Sequence, residues 1–142
     1  MYSINVSTHF DAAHFLSGHP GRCRNIHGHR WEVVVSLSSA LKVGGDSDGM
    51  VIDFSEAKKG LESVVERFDH TLIFETGSLS APLYDALIAD NYELSEVAFR
   101  PTAEHLAGFF YKALSQVYGD TAHVIAVTVY ETPESSATYT ED

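Results

Sequence analysis

Residues 2–10 read YSINVSTHF, and apolar side chains recur at every second position from Tyr2 to Phe10, with Thr8 the one polar member of the series. A period of two is typical of a β-strand with one buried and one solvated face. Strands of this kind pair naturally in antiparallel sheets. The stretch therefore predicts an antiparallel sheet that begins at the start of this sequence.

Further strands follow from the same reasoning. Residues 30–37 again place apolar side chains at alternate positions, and a glycine-rich turn at 44–49 leads toward a short strand expected at 50–52. Residues 122–131 are largely apolar on both faces, which predicts a central strand or one covered by another subunit. A last short strand is predicted near 137–139.

The period changes to that of a helix in two places. Residues 54–68 carry one apolar stripe after a capping residue, Asp53, and residues 103–118 carry another between Thr102 as N-cap and Gly119 as stop. Residues 75–101 lack clean periodicity and predict a long loop with a short helix near 82–89. The order of elements indicates one α+β domain over residues 1–142, with both helices on one face of the sheet.

The charge of the chain is unevenly distributed. Its net charge is −11, which argues against a nucleic-acid or anionic-membrane partner. The first 30 residues nevertheless hold five of the eight histidines, and three arginines against one acid. No apolar run is long enough to cross a bilayer. A single cysteine and the lack of a secretory signal pattern predict a cytoplasmic protein.

Three histidines in this basic segment have the spacing of metal ligands. His27 and His29 lie two apart in a predicted strand and share a face, and His14 lies thirteen residues upstream of His27. Three imidazoles with a fourth position open form a catalytic zinc site. Scattered surface histidines would give the same pattern.

Cys23 precedes His27 by four residues between two arginines, Arg22 and Arg24. The thiol could be a fourth zinc ligand that closes the site, a reactive thiolate favoured by nearby positive charge, or an inert buried group.

Three further ionisable residues have a functional and a structural interpretation. Asp69 and His70 are adjacent, so the carboxylate could orient the imidazole for acid–base chemistry, or the pair could simply occupy a turn. Glu131 ends the last long strand on the face of Val127 and Val129. Its carboxylate is either aimed at a ligand or solvated, and its terminal position favours the latter.

Six blocks in order resemble the 6-pyruvoyl- and 6-carboxy-tetrahydropterin synthase family across nearly the whole chain. They are FDAAH at 10–14, CRNIHGH at 23–29, VIDF at 51–54, FDH at 68–70, PTAE at 101–104 and VYET at 129–132. The resemblance implies a tunnelling fold, in which a four-stranded antiparallel sheet and two helices from each subunit close into an oligomeric barrel. It also implies homo-oligomers, commonly hexamers, with active sites at subunit interfaces.

The resemblance also assigns roles. It implies Zn²⁺ held by His14, His27 and His29, and Cys23 as the catalytic thiol. Asp69 and His70 would form an acid–base relay, and Glu131 would be the pterin anchor and a member of that relay. Thr102 and Glu104 would be secondary pterin contacts. The substrate implied is a small-molecule pterin triphosphate.

The spacing within the second block favours the carboxy branch of the family. Three residues separate Cys23 from His27, whereas the pyruvoyl enzymes typically have five, and Asp53-Phe54 replaces an Asn-Leu pair. The enzymes of this branch are lyases of queuosine (7-deazaguanine) biosynthesis, and the resemblance implies that activity. The alternatives are a 6-pyruvoyl-tetrahydropterin synthase and a noncatalytic zinc-containing pterin-binding protein.

Overall fold

The computed structural model describes residues 1–142 as one mixed sheet of six strands and three helices. The strand order across the sheet is β4-β3-β1-β2-β5-β6. In chain order the elements are β1 (Tyr2–His14), β2 (His27–Ser39), α1 (Phe54–Val65), β3 (Thr71–Glu75), α2 (Ala81–Ala89), β4 (Leu94–Val97), α3 (Ala103–Tyr118), β5 (His123–Thr132) and β6 (Ser135–Thr140).

The core lies between one face of the sheet and the helices α1 and α3. In β2 the alternate residues Trp31, Val33, Val35 and Leu37 are fully buried, as the period of two predicts. Both helices contribute to the same apolar cluster, through residues such as Leu61 of α1 and Leu106 of α3. The prediction of an α+β domain with two helices on one face is therefore confirmed.

The caps of the two long helices agree with the sequence. The carboxylate of Asp53 accepts a hydrogen bond from the backbone N–H of Ser55 at 2.8 Å, and the hydroxyl of Thr102 accepts one from His105 at 3.1 Å. The predicted first helix is divided, because α1 ends at Val65 and residues 66–68 form a single 3₁₀ turn that buries Phe68. Phe54 was expected in the apolar stripe but is 65% exposed.

The sheet has six strands and not the predicted four, because two short parallel strands join the antiparallel strands β1, β2, β5 and β6. β3 pairs in parallel with β1, and β4 pairs in parallel with β3. Residues 71–74 are all buried, and a short strand buried on both faces shows no alternation to read. The expected long loop at 75–101 thus contains β4 as well as the short helix, which begins at Ala81.

The short strand expected at 50–52 is absent. The chain here closes a loop instead, with the N–H of Lys42 donating to the carbonyl of Met50 at 2.9 Å and that of Gly49 donating to Lys42 at 2.9 Å. Val51 and Ile52 are buried in the core from this irregular segment. Their apolar character reflects that burial and not a place in the sheet.

A bulge explains the two apolar faces of β5. The pairing with β2 shifts between Ser36 and Leu37, so that Ser36 faces Ala126 while Leu37 faces Val124. Val124, Val127 and Val129 therefore all point into the core, although a regular strand would put Val124 on the opposite face. Cover by another subunit is not needed to account for this strand.

None of the three helices combines the length and the apolar character required to cross a lipid bilayer.

Candidate metal centre and active site

The three histidines meet where the core face of the sheet ends. β1 and β2 pair so that His14 lies opposite His27 and Ala12 opposite His29. His29 and His27 therefore continue the buried row that begins with Trp31, and His14 continues the row of Phe10 and Ala12. The register of one strand pair brings together residues thirteen positions apart in the sequence.

Glu131 joins this group from the neighbouring strand. Val129 of β5 pairs with Val33 of β2, so Glu131 continues the core-facing row toward the histidines. Its Oε1 atom lies 2.9 Å from Nε2 of His29 and 3.8 Å from Nε2 of His14. The expectation of a solvated strand terminus is wrong.

Backbone carbonyls orient two of the imidazoles. Nδ1 of His14 lies 2.9 Å from the carbonyl oxygen of Pro101, and Nδ1 of His27 lies 2.7 Å from that of Asn25. A carbonyl can only accept, so each Nδ1 carries the proton and each Nε2 presents a lone pair. Supports of this kind are typical of histidines that bind a metal ion.

The remaining ring nitrogens have the character of ligands. Nε2 of His14 and of His29 are buried without a hydrogen bond, since the close approach of Glu131 to His29 lacks hydrogen-bond geometry. Burial lowers the pKa of His14 and of His29, which keeps both rings neutral near pH 7. One ligand atom from each of His14, His27, His29 and Glu131 lies within 4.8 Å of the others. The residues therefore fit a metal ion bound by nitrogen and carboxylate oxygen.

Cys23 lies close in sequence but outside this ligand group. It occupies a 3₁₀ turn at Arg22–Arg24, is half-buried, and is held by a 2.8 Å hydrogen bond from the N–H of Leu16 to its carbonyl. The residue that lies beside the three histidines is Glu131 and not Cys23. The thiol is therefore free of the metal group in this arrangement.

Asp69 and His70 do touch, although adjacent residues often do not. Oδ2 of Asp69 lies 2.9 Å from Nδ1 of His70, and its Oδ1 accepts the backbone N–H of Asp11 at 2.9 Å. The hydrogen bond from Asp11, followed by that from His70, lowers the pKa of the Asp69 carboxyl. His70 has a φ of 60°, an unfavourable conformation for a non-glycine residue, and its side chain is 77% exposed.

A cavity of about 510 Å³ adjoins the metal group. His29 and Glu131 line it together with His9, Arg30 and Tyr130. The guanidinium of Arg30 is 3.4 Å from the carboxylate of Asp11, so its charge is partly matched. The cavity is large enough for a small heterocyclic ligand.

The two residues predicted as secondary pterin contacts, Thr102 and Glu104, do not line the cavity beside the histidines. The hydroxyl of Thr102 is engaged in capping α3, and the exposed Glu104 lines a separate cavity of about 360 Å³ with Phe99 and His105. Sequence reasoning missed the carbonyls of Pro101 and Asn25, for which a sequence offers no direct signal. The family resemblance predicted Glu131 as a site residue, whereas strand position alone favoured a solvated carboxylate, although its shared face with Val127 and Val129 pointed the other way.

The fold and the site together define a class: α+β proteins with a centre of three histidines and one carboxylate at the end of a sheet. The model of the 6-pyruvoyl tetrahydropterin synthase family matches residues 3–142, and the chain belongs to that family.

Known proteins agree with this membership. The 6-carboxy-5,6,7,8-tetrahydropterin synthase of Haemophilus influenzae is 34% identical over 143 residues, which cover 99% of this chain and 100% of that protein. An uncharacterised protein from Wolinella succinogenes has a similar fold, with a TM-score of 0.82, 23% identity and coverage of 99% and 98% of the two chains. The Caenorhabditis elegans 6-pyruvoyl tetrahydropterin synthase has a TM-score of 0.72, 22% identity and coverage of 99% and 96%.

Proposed function

We propose that this chain is a zinc-dependent lyase that converts 7,8-dihydroneopterin triphosphate and water to 6-carboxy-5,6,7,8-tetrahydropterin, acetaldehyde and triphosphate, a step of queuosine biosynthesis in the cytoplasm. The observation that carries the proposal is the convergence of His14, His27, His29 and Glu131 beside an open cavity. The full-length relative from Haemophilus influenzae, named as a 6-carboxy-5,6,7,8-tetrahydropterin synthase, supports the choice of reaction.

The three histidines would hold the zinc ion through their Nε2 atoms. When bound, zinc would supply Lewis-acid polarisation of the hydroxyl groups on the substrate side chain, which lowers their pKa. The carbonyls of Pro101 and Asn25 keep two of the rings aimed at the centre before any ion binds. The neutral state of the buried rings favours metal binding at pH 7, because a protonated imidazole cannot be a ligand.

Proton transfer would fall to Cys23 and to the Asp69–His70 pair. As a thiolate, Cys23 can accept a proton from the substrate side chain. Oδ2 of Asp69 lies 2.9 Å from Nδ1 of His70, and this pairing leaves Nε2 of the ring free to donate or relay a proton. The lowered pKa of Asp69 keeps its carboxylate charged, so that it retains this orienting role at neutral pH.

Glu131 would take part both in pterin binding and in the proton relay, and its two carboxylate oxygens can serve the two roles separately. Its Oε1 faces the histidines, and the carboxylate as a whole lines the open cavity. A carboxylate can accept paired hydrogen bonds from the 2-amino group and ring N–H of a pterin. We assign Glu131 to pterin binding and to the proton relay.

The distance of the predicted pterin contacts from the metal group supports an oligomeric enzyme. The Asp69–His70 pair is exposed, and Glu104 lines a cavity that does not include the metal group. Thr102 and Glu104 would then contact the pterin of a neighbouring subunit, in a homo-oligomer, which we take to be a hexamer, with sites at its interfaces.

The test is incubation of the zinc-loaded protein with 7,8-dihydroneopterin triphosphate and mass analysis of the products. Acetaldehyde together with carboxy-tetrahydropterin supports the proposal. The pyruvoyl compound would reassign the chain to the other branch of the family. Bound zinc without turnover, combined with a Cys23 thiol protected from titration, would indicate a noncatalytic pterin-binding protein.

A further inference from the structure

We propose that Asn25 is a positioning residue that joins the metal centre to the turn carrying Cys23. The inference rests on the proposed function, since it places Asn25 between a metal ligand and a reactive thiol. Asn25 follows Cys23 by two residues and precedes His27 by two. Its side chain is exposed, so burial in the core does not account for its hydrogen bonds.

On the side of the turn, Asn25 makes two hydrogen bonds to a single acceptor. The carbonyl of Arg22 accepts the backbone N–H of Asn25 at 3.0 Å and its side-chain Nδ2 at 3.1 Å. Together they close the turn at Arg22–Arg24 around Cys23. Two donors from one residue fix the Asn25 peptide relative to the turn more firmly than the backbone bond alone.

On the side of the metal centre, Asn25 supports a ligand. Its carbonyl accepts a hydrogen bond from Nδ1 of His27 at 2.7 Å, which directs Nε2 of that ring toward the other ligands. The His27 ring, the Asn25 peptide and the turn of Cys23 are thus connected through consecutive hydrogen bonds. An ion on Nε2 that orders the ring would also order the turn, and by reciprocity a firmer turn would raise metal affinity.

The experiment measures amide hydrogen exchange at Asn25 and zinc affinity, using the full-length protein with and without zinc. Four variants are compared with the native chain. Asn25→Ala removes the side-chain donor, Asn25→Asp removes it with little change of shape, Asn25→Gln retains an amide, and Asn5→Ala removes an exposed asparagine on β1 as a control.

In the native chain and in Asn5→Ala, we expect zinc to slow exchange at the residue 25 amide by about tenfold. In Asn25→Ala and Asn25→Asp, that slowing should fall below about twofold. In Asn25→Ala, which adds no charge near the ion, zinc affinity should drop by about two- to tenfold, the range of one hydrogen bond. Asn25→Gln should recover part of both effects, which a merely structural role would not require.

The outcomes separate this inference from the proposed function. Zinc binding that slows exchange equally in the native chain and in Asn25→Ala overturns the positioning role and leaves the proposed function intact. Zinc binding with no effect on exchange in the native chain overturns it as well. Failure of the native chain to bind zinc at all contradicts the proposed function, and the role of Asn25 falls with it.

Discussion

The residues that could bind a metal (the ligand group) and the residues proposed for proton transfer (the proton-transfer group) are built in different ways. The ligand group, with His14, His27, His29 and the adjoining Glu131, stands on three adjacent strands, and His14 is almost fully buried. Cys23 stands on a short turn, and His70 stands at the start of β3 with an exposed side chain. Adjacent strands of a packed sheet hold side chains more rigidly than turns do, so the ligand group is preorganised within one chain.

The difference indicates which property depends on which group of residues. The ligand group needs nothing beyond this chain to bring its donor atoms together. The residues proposed for proton transfer are held by backbone N–H donors, with Leu16 donating to the carbonyl of Cys23 and Asp11 donating to the carboxylate of Asp69. Metal binding should therefore survive changes to the second group, whereas turnover should require both.

The largest effect is expected from Cys23→Ala. Turnover should fall by about 10²- to 10⁴-fold, the range for loss of an acid–base group, while zinc stoichiometry stays unchanged because Cys23 lies outside the group of His14, His27, His29 and Glu131. Product formation and metal content measured on the same sample check this. Loss of zinc together with activity would make Cys23 a ligand and erase the distinction between the two groups.

A smaller effect is expected from Glu131→Gln, which keeps the shape of the side chain and removes its charge. Pterin affinity should weaken by about 10- to 100-fold, because a carboxylate is the stronger acceptor for two N–H groups. Equilibrium binding of a pterin and steady-state rates provide the measurement, with Glu134→Gln, on an exposed residue of the same region, as the control. Unchanged affinity and rate would remove Glu131 from the site.

The smallest effect concerns the stability of the metal-free protein in mild acid. Burial lowers the pKa of His14 below its usual 6.5, so below that pH the unfolded chain binds a proton that the folded chain does not. The free energy of unfolding should therefore fall as the pH drops below about 6.5, by about 1.4 kcal/mol for each unit by which the pKa is lowered.

Denaturant titrations from pH 7.5 to pH 5 check this, and His14→Gln should reduce the dependence, leaving the part due to His29. The exposed His123 gives the matched control, and His123→Gln should retain it. Equal slopes for all three proteins would mean that His14 is not a buried neutral ring.

Most of the sheet and both long helices could be predicted from the sequence, because each has one wet face. The alternation in residues 2–10 and the stripe of residues 103–118 report that geometry directly. β3 escaped prediction because four of its five residues are buried, which leaves a run without a period. The bulge in β5 escaped it as well, since an extra residue in one strand is a property of the pairing and not of the sequence alone.

The site was predictable to the extent that it depends on residue type and spacing. His27 and His29 share a face by virtue of spacing alone, and the register of β1 and β2 confirms that His14 joins them. Asp69 and His70 were ambiguous, because their contact depends on local backbone conformation, here with a positive φ at His70 and Asp69 held by Asp11, which spacing does not reveal. The carbonyls that orient the rings of His14 and His27 could not be predicted from the sequence, since every residue has a carbonyl.

The register of β1 on β2 gives metal binding a consequence for folding. A slip of one residue would turn His14 to the face opposite His27 and His29, and the four donors would no longer converge. An ion that binds only the converged donors lowers the free energy of the correctly paired sheet and of no neighbouring alignment. A bound metal ion would thereby favour the correct alignment of β1 on β2. Removing the metal with a chelator during refolding should therefore leave more misaligned chains than removing it after refolding.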